Sequence, residues 1–362
     1  MAATPPFVEF VEDKFSPPDQ LHNALRPAVL QNRHSNFGPV SETLEAALAT
    51  LNGNTPHRAA CMTANATLGL QAAVAGFDNV LRTRLRWAVG DFGFFTSFSG
   101  PFHDQTLVPC SADGQISLAA LDQLPVGDYD AILATNVFGL LEDFEPLFAF
   151  ARSRGKALLI DNAAGFTALA PWHAASTPDD PLLWAEVVSF HHTKPWGMGE
   201  GGAVFLPATL HATLRAAVNF GRGTGQQLAD LRFCTNAKMS EIAAAQILLR
   251  VRDHAAWAPA YRHQARRLLD LGQQAGLQPV VATLPQRAVP GQIALRCSDP
   301  VTLKQLENPA FRMLKYYLPS PRSGPVAHTL FDHIVNLPCH PGMAALEDAV
   351  ITKVLCAIQD RT

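Results

Sequence analysis

Val187-Val188-Ser189-Phe190-His191-His192-Thr193-Lys194-Pro195-Trp196-Gly197-Met198-Gly199-Glu200-Gly201-Gly202-Ala203-Val204-Phe205-Leu206 is a polar, glycine-dense loop between two apolar runs. The flanks, Glu186–Phe190 and Gly202–Leu206, are rich in Val and Phe and bounded by turn residues, which predicts two short buried strands. The loop carries one lysine, Lys194. An amine held against apolar strands is partly desolvated, which lowers its pKa and frees the neutral form for Schiff-base chemistry. Ser189, five residues earlier, places a hydroxyl where an anion near that lysine would sit.

Three other readings compete for this stretch. Gly197, Gly199 and Gly202 spell G-x-G-x-x-G, but a dinucleotide fingerprint opens a helix, and here a strand-like run follows. A phosphate-binding loop of the G-x-x-x-x-G-K type has its lysine after the glycines, whereas Lys194 precedes them. The plainest reading is a glycine hairpin with a surface lysine.

Composition narrows the field. A chain of 362 residues can bury a sizeable core, and its length suggests two domains. Charged residues make up 16%, below the usual share of about 25%, which points to a large core and an apolar subunit interface. With a net charge of −3 and no long basic run, neither nucleic acid nor an anionic membrane is an expected partner. No apolar run reaches the roughly 18 residues of a membrane helix. No secretory pattern is visible over Met1–Phe10. Six cysteines without C-x-x-C spacing read as reduced thiols of a cytoplasmic protein, with no metal site.

In chain order, Asp19–Leu30 reads as a helix, and the polar loop Gln31–Pro39 leads to a second helix. Ser41 is its expected N-cap, and Leu44, Leu48 and Leu51 share a face. Asn65-Ala66-Thr67 precedes a strongly helical run, so free N–H groups at a helix start form either a phosphate cradle or an ordinary cap. Leu85–Val89 reads as a strand. Phe92, Phe94, Phe95 and Phe98 then fill a core or offer a ring to a flat ligand. Gln105–Cys110 and Ala131–Asn136 are further expected strands, Asp143–Arg154 is a helix ended by Gly155, and Ala157–Asp161 is a buried strand finishing on an acid. Alternating strands and helices predict an α/β layered domain with a largely parallel sheet. Ligands of such sheets gather at the strands' carboxyl ends, where Asp161 falls.

A phosphate cradle at Thr67, an acid at Asp161 and a lysine at Lys194 with Ser189 before it together match the needs of pyridoxal phosphate. The lysine bonds the cofactor, the acid keeps the pyridine nitrogen protonated, and helix N–H groups and hydroxyls hold the phosphate.

The ordered motifs resemble those of the DegT/DnrJ/EryC1/StrS family of sugar aminotransferases, of the aspartate-aminotransferase fold type I. Asn36-Phe37-Gly38-Pro39 is similar to the family's N-terminal substrate loop, Asn65–Leu70 to its phosphate turn, and Val137–Asp143 to its G-x-x-x-D crossover. Ser189–Lys194 followed by Gly199–Gly202 is similar to its most specific signature. Thr235–Gln246 resembles its N-x-x-M-x-x-x-x-A-A segment, and Leu337–Pro341 its closing strand and turn.

The resemblance implies that Lys194 is the Schiff-base lysine and proton shuttle, and that Asp161 pairs with the pyridine nitrogen. It implies that Ala66, Thr67 and Ser189 bind the phosphate, with Asn236 of the neighbouring subunit completing that site in a homodimer with shared active sites. Phe94 falls where the family sets an aromatic ring against the cofactor, with Phe92 in reserve. His191 and His192 read as structural. One departure stands out: the family usually has Gln or His three residues after the acid, and here that position is Ala164. Alternation along an extended segment points Asn162 elsewhere. Some relatives replace the lysine by histidine and act as dehydratases; Lys194 argues against that chemistry.

The C-terminal third opens with a long helical stretch, Ser240 to Asp270, and a strand is expected at Gln292–Arg296. Lys315-Tyr316-Tyr317 and Arg322 offer cations and rings to a phosphorylated or glycosyl substrate, though a solvated surface loop is the plainer reading. The expected architecture is a large cofactor-binding domain, residues 1–250, with a mostly parallel central sheet flanked by helices, and a small C-terminal α/β domain, residues 251–362. The resemblance implies transfer of an amino group from L-glutamate to a nucleotide-linked 4-keto or 3-keto deoxysugar. A transaminase of a cyclitol or other cyclic ketone, and a non-catalytic cofactor-binding regulator, are the alternatives.

Overall fold

A computed structural model describes residues 7–51, 57–166, 181–223 and 229–359. Its N-terminal half contains α1 (Pro18–Leu30), α2 (Pro39–Leu51), β1 (Arg58–Thr63), α3 (Ala66–Leu81), β2 (Trp87–Gly90), β3 (Phe92–Gly93), β4 (Thr106–Val108), α4 (Leu118–Gln123), β5 (Ala131–Thr135), α5 (Glu145–Arg154) and β6 (Ala157–Asp161). There follow β7 (Trp184–Ser189), β8 (Gly202–Pro207), α6 (Ala208–Ala217), α7 (Glu241–Arg252), α8 (His254–Gln274), β9 (Gln278–Pro279), β10 (Gln292–Arg296), β11 (Leu318–Pro319), α9 (Pro325–His333), β12 (Ile334–Pro338) and α10 (Asp348–Gln359).

Seven strands form the central sheet in the order β1-β8-β7-β6-β5-β2-β4. All neighbours pair in parallel except at β8, which runs antiparallel to both β1 and β7. The α/β expectation therefore holds, and the inner strands show why. Along β6, Ala157 and Leu159 pack on the α3 side while Leu158 and Ile160 pack on the α5 side. Successive side chains of a strand point to opposite faces, so a strand covered on both faces must be apolar throughout. The parallel strands all end at one edge. Antiparallel β8 begins at that edge, with Gly202 opposite both Ser189 and Thr63.

A three-stranded antiparallel sheet, β12-β10-β9, stands on α8. A two-stranded ribbon pairs β11 with β3, Leu318 opposite Gly93, and so brings the C-terminal tyrosines to the edge of the central sheet.

Two local expectations change. Ser41 lies within the first turn of α2 rather than capping it. The cap comes from 200 residues away: the buried Glu241 carboxylate accepts from the N–H groups of Val40 (2.7 Å) and Ser41 (3.2 Å), and from the Ser41 hydroxyl. A negative group at the helix start answers unpaired N–H groups and the positive end of the dipole together. The long stretch from Ser240 is two helices, interrupted at Asp253. There, His254 and Trp257 close the end of α7, Trp257 Nε1 donating to Arg250 O at 2.9 Å.

Candidate active site

The edge where the parallel strands end opens into a cavity of about 550 Å³, within the range of about 300–1,000 Å³ typical of small-ligand sites. Six of the seven residues anticipated as site residues line it: Ala66, Thr67, Phe94, Asp161, Ser189 and Lys194. Asn236 does not. It is exposed and accepts a 2.6 Å hydrogen bond from Lys238 Nζ. Its neighbour Ala237 accepts from the Ala64 N–H at 2.7 Å, so Asn236 sits on the outer surface beside the start of α3.

Each group has a local cause. Asn65 is the N-cap of α3, its side chain accepting from the Leu68 N–H at 2.9 Å. The N–H groups of Ala66 and Thr67 have no intrahelical acceptor and stand at the cavity wall, a ready anion cradle. The Thr67 and Thr96 hydroxyls pair at 3.1 Å. Gly202 allows the cradle to form: a Cβ there would lie 2.6 Å from the Asn65 carbonyl carbon and 2.7 Å from the Ala66 nitrogen.

Asp161 ends β6, 3% exposed, with Oδ1 accepting from the Ala163 N–H at 3.1 Å. Burial pushes its pKa up to about 6, against the Ala163 hydrogen bond and the Lys194 charge, which both hold it down. Lys194 projects from the turn between β7 and β8; burial lowers its pKa and the Asp161 charge opposes that fall. The two groups thus sense one another across the cavity. Gly197 makes the lysine's turn possible, since a Cβ there would overlap the His191 carbonyl oxygen at 1.9 Å.

Burial separates the two phenylalanines. Phe92 is enclosed against Phe138, whereas Phe94 is 42% exposed and faces the cavity. Asn162 turns away as expected: its amide donates to Glu186 (2.7 Å) and Gly165 O (2.9 Å), and its Oδ1 accepts from Asn136 (2.7 Å). His191 also lines the cavity, its Nδ1 paired with the Thr193 hydroxyl at 2.9 Å.

The surface-loop reading of Lys315-Tyr316-Tyr317 is corrected. Tyr317 is 7% exposed, stacks edge-on with Phe138, and lines the cavity together with Tyr316. Burial and the Asp161 charge raise the Tyr317 hydroxyl pKa, so at neutral pH it is a neutral donor. Lys315 is tied to the Phe331 and Asp332 carbonyls. Sequence reading also passed over Thr96 and Glu200 as cavity residues. Glu200 stands inside the quoted Gly199–Gly202 motif and Thr96 among the quoted phenylalanines, which was the available signal. The Asn36–Pro39 loop is absent from the lining; Phe37 is instead buried against α3 and α6 with Arg215 stacked on its ring at 3.9 Å.

A desolvated lysine, a buried acid opposite it, an anion cradle at a helix start and a facing aromatic ring suit pyridoxal 5′-phosphate in each of its parts. These groups stand together where the parallel strands of one α/β sheet end. Residues 19–288 match the DegT/DnrJ/EryC1/StrS aminotransferase family, and the chain belongs to it.

Protein Rv3402c of Mycobacterium tuberculosis is 28% identical over 263 residues, covering 67% of this chain and 60% of that protein. The chain thus spans about 60% of the length of the curated relatives it matches. Among solved structures it is similar to 3-amino-5-hydroxybenzoic acid synthase (TM-score 0.79, 17% identity, 99% of this chain and 100% of that one). It is similar to Helicobacter pylori PseC, an aminotransferase involved in the biosynthesis of pseudoaminic acid (TM-score 0.79, 16% identity, 99% and 100%). A DegT DnrJ EryC1 StrS aminotransferase from Brucella abortus gives a TM-score of 0.75 at 22% identity, over 95% of each chain. At these identities the likeness establishes the fold. Among the described residues, no helix is long and apolar enough to cross a membrane and no cluster is suited to a metal ion.

Proposed function

We propose that this protein transfers an amino group from L-glutamate to a nucleotide-linked keto deoxysugar, with the amine placed at C4 or C3. The observation that carries the reading is the placement of Lys194, Asp161 and the α3 anion cradle on the walls of one cavity. Pyridoxal phosphate, once bound, supplies an electron sink for the bond broken at the donor's α-carbon.

The rest is work of the chain. The Ala66 and Thr67 N–H groups, with the Thr67 and Ser189 hydroxyls, hold the cofactor's phosphate. Phe94 packs on its ring. Asp161 accepts the pyridine N–H and keeps it protonated. Lys194 would bond the cofactor at rest and, when released, its amine would hold and move the substrate's α-proton. Burial lowers the lysine's pKa and so favours the neutral amine, against the Asp161 charge. Tyr316 and Tyr317 present an aromatic, hydrogen-bonding wall suited to a sugar ring.

In this reading the working unit is a cytoplasmic homodimer, with Asn236 of each subunit completing its partner's phosphate site. Residues 1–250 form the cofactor domain and 251–362 the smaller one. The test is to incubate the holoenzyme and L-glutamate with a panel of nucleotide-linked 3-keto and 4-keto sugars, following 2-oxoglutarate and the amino sugar by mass spectrometry. Stoichiometric formation of both supports the proposal. Formation of 2-oxoglutarate with no aminated nucleotide sugar, but with an aminated cyclitol or other cyclic ketone when these are offered, replaces the acceptor class.

A further inference from the structure

A second, smaller cavity of about 20 Å³ adjoins the first and shares Thr193, Lys194 and Tyr316 with it; Ala164 and Gln292 complete its polar and small-residue walls. Gln292 opens β10, the middle strand of the small sheet. It is 7% exposed, and its Oε1 has no hydrogen-bond partner. A buried acceptor left unpaired costs about 1–3 kcal/mol, so such a group calls for a partner in the working protein. Ala164 offers none. The space matches a single water, which needs at least about 10–15 Å³ and two or more polar neighbours. The residues that line it carry suitable polar groups: Gln292 Oε1, the Thr193 and Tyr316 hydroxyls and the Lys194 amine.

We propose that Gln292 is a positioning residue for Lys194, acting through one water molecule held in this small cavity. The water donates to Gln292 Oε1 and accepts from the Lys194 amine whenever that amine is not bonded to the cofactor. The released lysine is thereby anchored within reach of the substrate's α-carbon, on the side where Ala164 leaves room. The inference rests on the proposed role of Lys194 as the proton carrier, and places the small sheet in direct service of that step.

The experiment has a structural and a kinetic arm. In the holoenzyme, a crystal structure is expected to show one ordered water within hydrogen-bonding distance of both Gln292 Oε1 and Lys194 or Thr193. Gln292→Met, close in volume but without the acceptor, is expected to slow the half-reaction with L-glutamate at least fivefold. KM for the donor should stay nearly constant, and the isotope effect with α-deuterated glutamate should rise, because proton transfer becomes more limiting. Gln292→Glu, which keeps an acceptor, should recover part of the rate. A loose fold would not raise the isotope effect selectively. Borohydride labelling separates the two layers: a label that leaves Lys194 overturns the lysine's role itself. Labelling at Lys194 with unchanged rate and isotope effect in Gln292→Met, or a small cavity without water in the holoenzyme, overturns the role of Gln292 alone.

Discussion

The Nζ of Lys14 donates a 2.6 Å hydrogen bond to the backbone carbonyl of Lys194. The next carbonyl, that of Pro195, accepts from Arg250 Nε at 2.8 Å, and Arg250 is itself bonded to Glu12 at 2.7 Å. Tyr261 completes the set with a 2.9 Å bond to Glu12. The turn that carries the lysine is therefore held by the N-terminal segment and by α7 and α8.

Lys14→Met tests that hold. Burial and the Arg250 charge lower the Lys14 pKa to about 7, so its charged form sits there at a cost. The substitution should therefore leave Tm nearly unchanged while turnover falls severalfold, as the Lys194 turn loosens. Thermal unfolding and steady-state kinetics check it. A large loss of Tm with normal kcat in the surviving protein would make Lys14 a stability residue instead.

Asp161 predicts an unusual pH dependence in the cofactor-free protein. Its folded pKa of about 6 lies above the unfolded value of about 3.9. The folded state binds the proton more tightly, so this group's stabilising contribution is complete below about pH 4 and is lost as pH rises through 6. Asp161→Asn removes the buried charge and keeps an acceptor for the Ala163 N–H. Cofactor-free Asp161→Asn should melt a few degrees higher than the parent at pH 8, with the gap closing by pH 4.5. With cofactor, the same variant should transaminate orders of magnitude more slowly.

Much of this was legible in the sequence, and the reasons are local. Ala157–Asp161 forms a strand over the anticipated residues as a compact apolar run, and Gln292–Arg296 does so with Ile293, Ala294 and Leu295 buried at its centre. Gly155 ends α5 as read, in a left-handed conformation with φ of 59°. What escaped reading was set by distant partners. Ser41 has the chemistry of a cap, yet Glu241 does the capping from the start of α7. Nothing near Tyr317 announces its burial, which follows from the pairing of Leu318 with Gly93. The break at Asp253 has no glycine or proline beside it, because side chains of the next helix close α7. The glycine-rich stretch Gly221-Arg222-Gly223-Thr224-Gly225 reads as a linker ahead of Asn236, and its residues 224 and 225 lie outside the described residues.

Gly202→Ala should damage the anion cradle without touching any side chain of the site. The added Cβ would meet backbone of Asn65 and Ala66, which cannot swing aside as a flexible side chain does. Cofactor affinity, measured by titrating the cofactor-free protein, should drop at least tenfold. Unchanged affinity would mean that the phosphate does not sit at the start of α3.

Asn236 lies outside its own chain's cavity, which the proposed dimer explains by donation to the partner. Lys194→Ala and Asn236→Ala are each expected to be impaired. Mixed under conditions of confirmed subunit exchange, they should regain activity, because one site of the heterodimer holds Lys194 from one chain and Asn236 from the other. Activity that stays at the level of the separate variants would assign Asn236 to its own subunit.

The account turns on Lys194 as the residue that bonds pyridoxal phosphate. The direct measurement is borohydride reduction of the holoenzyme, followed by peptide mapping and mass spectrometry. One pyridoxyl group per chain on Lys194 is the expected result, with none in Lys194→Ala. A label on any other lysine, or a reducible bond that persists in Lys194→Ala, would contradict it.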